Sequence, residues 1–122
     1  MSAEWPARLP GLDINKALNQ LGQKKALLVK LLGMFKNNHS QDVGPIQAAF
    51  AAGKWDEVHS LNHALKGVTG NLAADVLYGL CVEIDAAVKS DNHNIGHLVE
   101  KLPGAMAELL TSIDELLSLP LE

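Results

Sequence analysis

The sequence is poor in the residues that build sheets and disulfide frameworks. Aromatic residues make up only 4% of its 122 positions, and β-branched residues are sparse, so a sandwich or a barrel lacks its usual material. The one cysteine, Cys81, has no partner for an internal disulfide and sits in an apolar helical context. A buried, reduced thiol and a cytoplasmic setting are the expectation. No run approaches the roughly 20 apolar residues that span a bilayer, and the opening Met1-Ser2-Ala3-Glu4-Trp5-Pro6 lacks signal-peptide character. Positive charge is also short: a formal net charge of −4 and a pI near 5.7 argue against nucleic acid and anionic membrane as partners. There is no Gly-x-Ser-x-Gly elbow, no Walker loop and no dinucleotide-binding glycine loop, so neither a self-sufficient hydrolase nor a nucleotide site is expected.

What is present is leucine, alanine and lysine at helical spacing in a chain long enough for one domain with one core. Residues 1–11, with Pro6, Pro10 and Gly11, read as a lead-in, and residues 12–122 as the domain. Asp13 can cap a short helix that Gly22 ends. A limb over 23–52 follows, with Leu27, Leu28, Leu31, Leu32, Met34 and Phe35 facing inward, a kink expected near Gly44-Pro45, and Gly53 as terminator. Two further helices are expected over 54–71 and 73–90, the second with Val76, Leu77, Leu80, Ile84 and Val88 on its apolar face. A last helix over 94–119 should bend or split at Pro103-Gly104. Four amphipathic segments joined by short links must run antiparallel to their neighbours. The expected fold is therefore all-α, an up-down-up-down four-helix bundle with a short additional N-terminal helix.

The segment over 54–71 carries the chemistry. Val58, Leu61, Leu65, Val68 and Leu72 recur in steps of three and four and form a core stripe. The opposite face holds Asp56, His59, Ser60, His63, Lys66, Gly67, Gly70 and Asn71, all polar or small. His63 lies roughly 200° around the helix from Leu65, at about 100° per residue, and should point to solvent. Imidazole is suited to nucleophilic work near neutral pH because a useful fraction is neutral. Two glycines in a helix interior each cost roughly 0.8 to 1 kcal/mol relative to alanine. Gly67 and Gly70 flank His63, which suggests that they clear bulk for a partner approaching the imidazole. Lys66 would supply a cation for an anionic group carried there.

An exposed histidine is by default only a surface residue, and His63 is singled out by these neighbours. His59 and His63, four apart, could face one metal ion. The Glu of a His-Glu-x-x-His motif is missing, however, and Asp56 is the only carboxylate on that face of the helix, so no metal site is expected. His93 and His97 share the spacing but flank a polar turn and read as solvated.

The run His63-Ala64-Leu65-Lys66-Gly67-Val68-Thr69-Gly70 resembles the signature of histidine phosphotransfer (HPt) domains, an exposed histidine followed by lysine at the third, glycine at the fourth and glycine at the seventh position. Flanking runs, Leu9-Pro10-Gly11-Leu12-Asp13, Ala51-Ala52-Gly53-Lys54-Trp55 and Glu83-Ile84-Asp85-Ala86-Ala87, are similar to HPt modules at the ends of hybrid sensor kinases, so the resemblance spans residues 9–117. It implies that His63 accepts a phosphoryl group from an aspartyl phosphate on a receiver domain of a response regulator and passes it to another receiver aspartate. Lys66 would offset phosphate charge, while His59, Ser60, Gly67, Gly70 and Asn71 would form the docking face. It also implies a polar residue on the next helix that orients the imidazole, for which Asp85 is the candidate and Glu83 the rival. The domain would need no cofactor of its own, the magnesium ion belonging to the receiver, and would work as a monomer at the cytoplasmic end of a sensor kinase. Two alternatives stand beside this reading: an adaptor that binds a receiver without being phosphorylated, and a metal-binding bundle using His59 and His63.

Overall fold

A computed structural model describes residues 5–120; residues 1–4 of the expected lead-in, and residues 121–122, lie outside the described residues. The chain enters through a small antiparallel ribbon, β1 (Arg8–Leu9) against β2 (Leu12–Asp13), turned at Pro10 and Gly11. Gly11 has φ +74°, which glycine adopts without steric cost. This ribbon was not expected from the sequence. Trp5 and Leu9 pack against the core, and the Ser112 hydroxyl donates to the Pro10 carbonyl, tying the entry to the last helix. Asp13 then caps α1 (Ile14–Gln20) by accepting from the Lys16 N–H at 3.1 Å.

Prolines divide the first and last limbs into two helices each. The first limb is α2 (Lys25–His39) and α3 (Val43–Ala51), with Pro45 in the first turn of α3, where its missing N–H has no intrahelical acceptor to lose. Gly53, at φ +69°, lets the chain leave α3, and the Lys54 N–H returns to the Ala49 carbonyl at 2.9 Å. α4 (Trp55–Asn71) and α5 (Asp75–Lys89) run unbroken, close to the expected bounds. The last limb splits into α6 (Gly96–Val99) and α7 (Leu102–Leu117), with Pro103 in the first turn of α7.

α4 packs between α3 and α5, and α7 packs on α5 and α2, so four limbs close a ring around one core, with α1 as the short addition. Phe35, Ile46, Leu65, Ile84, Leu102 and Leu109 are fully buried within it. Leu27 and Met34 on α2, and Val76 on α5, are exposed rather than inward. Each lies at the edge of its apolar stripe.

Candidate functional site

α4 and α5 form a tight antiparallel pair joined by residues 72–74. Ala73 takes φ +54°, a left-handed geometry usually left to glycine, and the Ala74 N–H closes the turn on the Thr69 carbonyl at 3.0 Å. This turn sets the phase of one helix against the other. The buried line of α4 runs through Val58, Asn62, Leu65, Thr69 and Leu72, whereas Leu61 and Val68, expected in the core, are only half-buried. Asn62 and Thr69 are fully buried polar residues that the sequence reading passed over. Thr69 donates to the Leu65 carbonyl one turn back, and Asn62 donates across the interface to the Cys81 carbonyl at 2.8 Å. That bond pins α4 to α5 one turn before Asp85. Cys81 is buried and free, and desolvation pushes its thiol up to about 12, so it stays protonated and inert.

Asp85 is the centre of the site. Its side chain is only 5% exposed and faces α4, whereas Glu83, its rival, is exposed. The two carboxylate oxygens have different surroundings. Oδ2 accepts from Lys66 Nζ at 2.9 Å and lies 3.0 Å from Lys89 Nζ, one helical turn along α5. Oδ1 lies 3.3 Å from His59 Nε2 and 3.8 Å from His63 Nδ1 without a hydrogen bond to either. The Lys66 ammonium, with Lys89 in support, outweighs the cost of desolvation and holds the carboxyl down to about 2.

His63 stands clear of the core, its side chain 60% exposed. Its Nδ1 is the nitrogen nearer Asp85, which leaves Nε2 on the outer edge of the ring. His59 stacks beneath it, ring centroids 5.9 Å apart, and buries its own Nε2 against Asp85. Ser60, Ala64 and Gly67, all exposed and small, surround the imidazole on α4. A Cβ added at Gly67 would meet nothing within 4 Å, so the space beside His63 is open.

Several expectations about this face change. Lys66 is not free in solvent: it is 24% exposed and engaged with Asp85. Gly70 differs from Gly67: a Cβ there would sit 3.0 Å from the Tyr78 ring, so its lack of a side chain makes room for that ring of α5. His59 is partly buried, and the face does not depend on exposed Asp56 for a carboxylate, because α5 contributes Asp85. Lys89 was missed, although its i,i+4 spacing from Asp85 was there to read. Asn71 and Ser60 are exposed as expected. Lys16, Lys66, Gly67, Gly70, Asn71 and Tyr78 line a shallow depression between α1, α4 and α5. His97 is exposed as expected. His93 is also exposed overall, but one ring face lies 3.9 Å from Trp55, centroid to centroid.

Comparison with known proteins bears on this arrangement. No curated protein matches the chain. Its fold is similar to the crystal structure of the HPT domain from an Hpt sensor hybrid histidine kinase from Shewanella, with a TM-score of 0.83 and 22% identity over 91% of this chain and 97% of that one. The family model of the Hpt domain matches residues 30–118. That span holds all of α3 to α7 and most of α2, including the exposed histidine and the carboxylate behind it. The chain thus belongs to the Hpt domain family, phosphotransfer modules of phosphorelays rather than catalytic kinase domains.

Proposed function

We propose that His63 is the residue through which this Hpt domain carries its phosphoryl group. The observation that carries the reading is the pairing of a 60%-exposed imidazole with a buried carboxylate 3.8 Å from its Nδ1. A proton held on Nδ1 toward Asp85 leaves the Nε2 lone pair facing solvent, which is the state a nucleophile needs. The other histidines have different surroundings. His39 pairs with Asp42 and stacks on Phe35, His93 lies on Trp55, and His97 has no carboxylate behind it among the described residues.

The partner is a receiver domain bearing an aspartyl phosphate. The Nε2 lone pair forms the N–P bond as the P–O bond to the receiver carboxylate breaks, and the carboxylate departs with that electron pair. The receiver brings the magnesium ion and acidic pocket that stabilise the spread charge of a loose transition state, while this domain positions the nucleophile. Lys66 has three donors, so its ammonium can stay on Asp85 and still face a phosphoryl oxygen. The open side of Gly67, with exposed Tyr78 and Val82 on α5, offers the contact surface. We place the domain in a hybrid sensor kinase, the kind of protein named for its structural neighbour, at that kinase's cytoplasmic end.

Incubation with a radiolabelled phospho-receiver tests this. The expected result is acid-labile label on the wild type, none on His63→Gln, and transfer slowed at least about tenfold in a folded Gly67→Trp, whose indole would fill the approach. Full labelling of His63→Gln would overturn the assignment. A wild type that binds the receiver but takes no label would point to an adaptor instead.

A further inference from the structure

We propose that His59, His63 and Asp85 also form a binding site for a divalent transition-metal ion, zinc being the best fit, and that occupancy silences His63. The second part rests on the acceptor role given to His63 above. One donor atom from each of the three residues can be drawn so that all lie within 4.8 Å of one another. His59 and His63 sit one turn apart on α4, the spacing by which one helix offers two imidazoles to one ion. The Asp85 Oδ1 distances of 3.3 and 3.8 Å to the two rings are close to the separation of about 3.3 Å between neighbouring ligands on a tetrahedral ion with bonds of about 2.0 Å.

A second, independent observation points into the same space. His59 Nε2 and Asp85 Oδ1 are both buried without a hydrogen-bond partner, and Asp85 is 4% exposed. Buried polar atoms left unpaired are rare and costly, and an ion between them would satisfy both. The carboxylate is already oriented for this, since Lys66 and Lys89 hold Oδ2 and leave Oδ1 directed at the histidines. Exposed His63 provides the way in and leaves a fourth position for water. Two imidazole nitrogens select zinc and its neighbours over magnesium or calcium, which take oxygen ligands. An ion on Nδ1 of a neutral imidazole moves the proton to Nε2, so the nitrogen that would attack phosphorus no longer has a lone pair to offer.

Calorimetric titration of the full chain with zinc, with magnesium as comparison, tests the site without any phosphoryl donor. The expected result is one zinc per chain, no magnesium, and affinity lowered at least about tenfold in both His59→Gln and Asp85→Asn. Variants His93→Gln and His97→Gln should bind as the wild type does. Loss of binding in those two, or wild-type affinity in His59→Gln, would overturn the site. Imidazole nitrogen spectra give a readout independent of folding: resonances of His59 and His63 should move together at one equivalent, and movement confined to other histidines would refute the proposal. Saturating zinc should then lower label uptake from a phospho-receiver at least about tenfold, with recovery on chelation. Undiminished uptake would overturn the silencing alone, whereas a wild type that takes no label even without zinc would count against the acceptor assignment instead.

Discussion

At Asp85 one carboxylate serves two groups of neighbours, and its two oxygens divide the work. Oδ2 is neutralised by the ammoniums of Lys66 and Lys89, while Oδ1 is turned toward the two histidines. A buried carboxylate without either cation would be an uncompensated charge, so the two lysines are what make Asp85 tolerable in this place. The effect on stability has a definite sign. Because the folded state holds the Asp85 carboxyl at about 2, below its ordinary value of 3.8, the stabilisation is complete above the ordinary value and is lost as pH falls through the folded one. A shift of that size corresponds to about 2 kcal/mol. Urea unfolding of wild type and Asp85→Asn should therefore show a stability gap that closes as pH drops from about 5 to about 2. A gap unchanged across that window would mean that the lysine pairs contribute nothing.

At the scale of the helix, the two glycines of α4 have different surroundings. Gly67 faces open space, and Gly70 lies under the Tyr78 ring. Replacing glycine by alanine in a helix interior ordinarily gains about 1 kcal/mol. Gly67→Ala should realise most of that gain in thermal unfolding, and Gly70→Ala should realise little or none, because Tyr78 must move to admit the methyl group. Equal stabilisation by both would show that the ring does not constrain α4. The contrast also marks where sequence reasoning stops. His63, Lys66 and Gly67 were legible because they share one face of one helix, and helical periodicity is local. Burial of Asn62, engagement of Lys66 by Asp85 and closure of Tyr78 over Gly70 all depend on the phase between α4 and α5. That phase is set by the turn at left-handed Ala73, which no apolar pattern announces. The breaks of the outer limbs were legible in kind from Pro45 and Pro103, while the entry ribbon at Arg8–Leu9 was hidden by its length of two residues.

At the scale of the molecule, the bundle brings His59, His63, Lys66, Asp85 and Lys89 together where α4 meets α5. No described helix is long and apolar enough to cross a membrane. Under the function proposed above, the domain would bring a positioned imidazole, a counter-charge and an open approach, and would leave the remainder of the phosphoryl-transfer machinery to its receiver. The proposed acceptor role turns on which nitrogen of which histidine meets phosphorus. On that proposal, Asp85 behind Nδ1 leaves Nε2 of His63 as the attacking nitrogen. Phosphorus–nitrogen correlation spectra of the chain, labelled with nitrogen-15 in its histidines and phosphorylated by a receiver, answer that directly. The predicted result is a single phosphohistidine at position 63, bonded through Nε2 with a proton on Nδ1. A phosphorus bonded to Nδ1 of His63, or to any other histidine, would contradict the account.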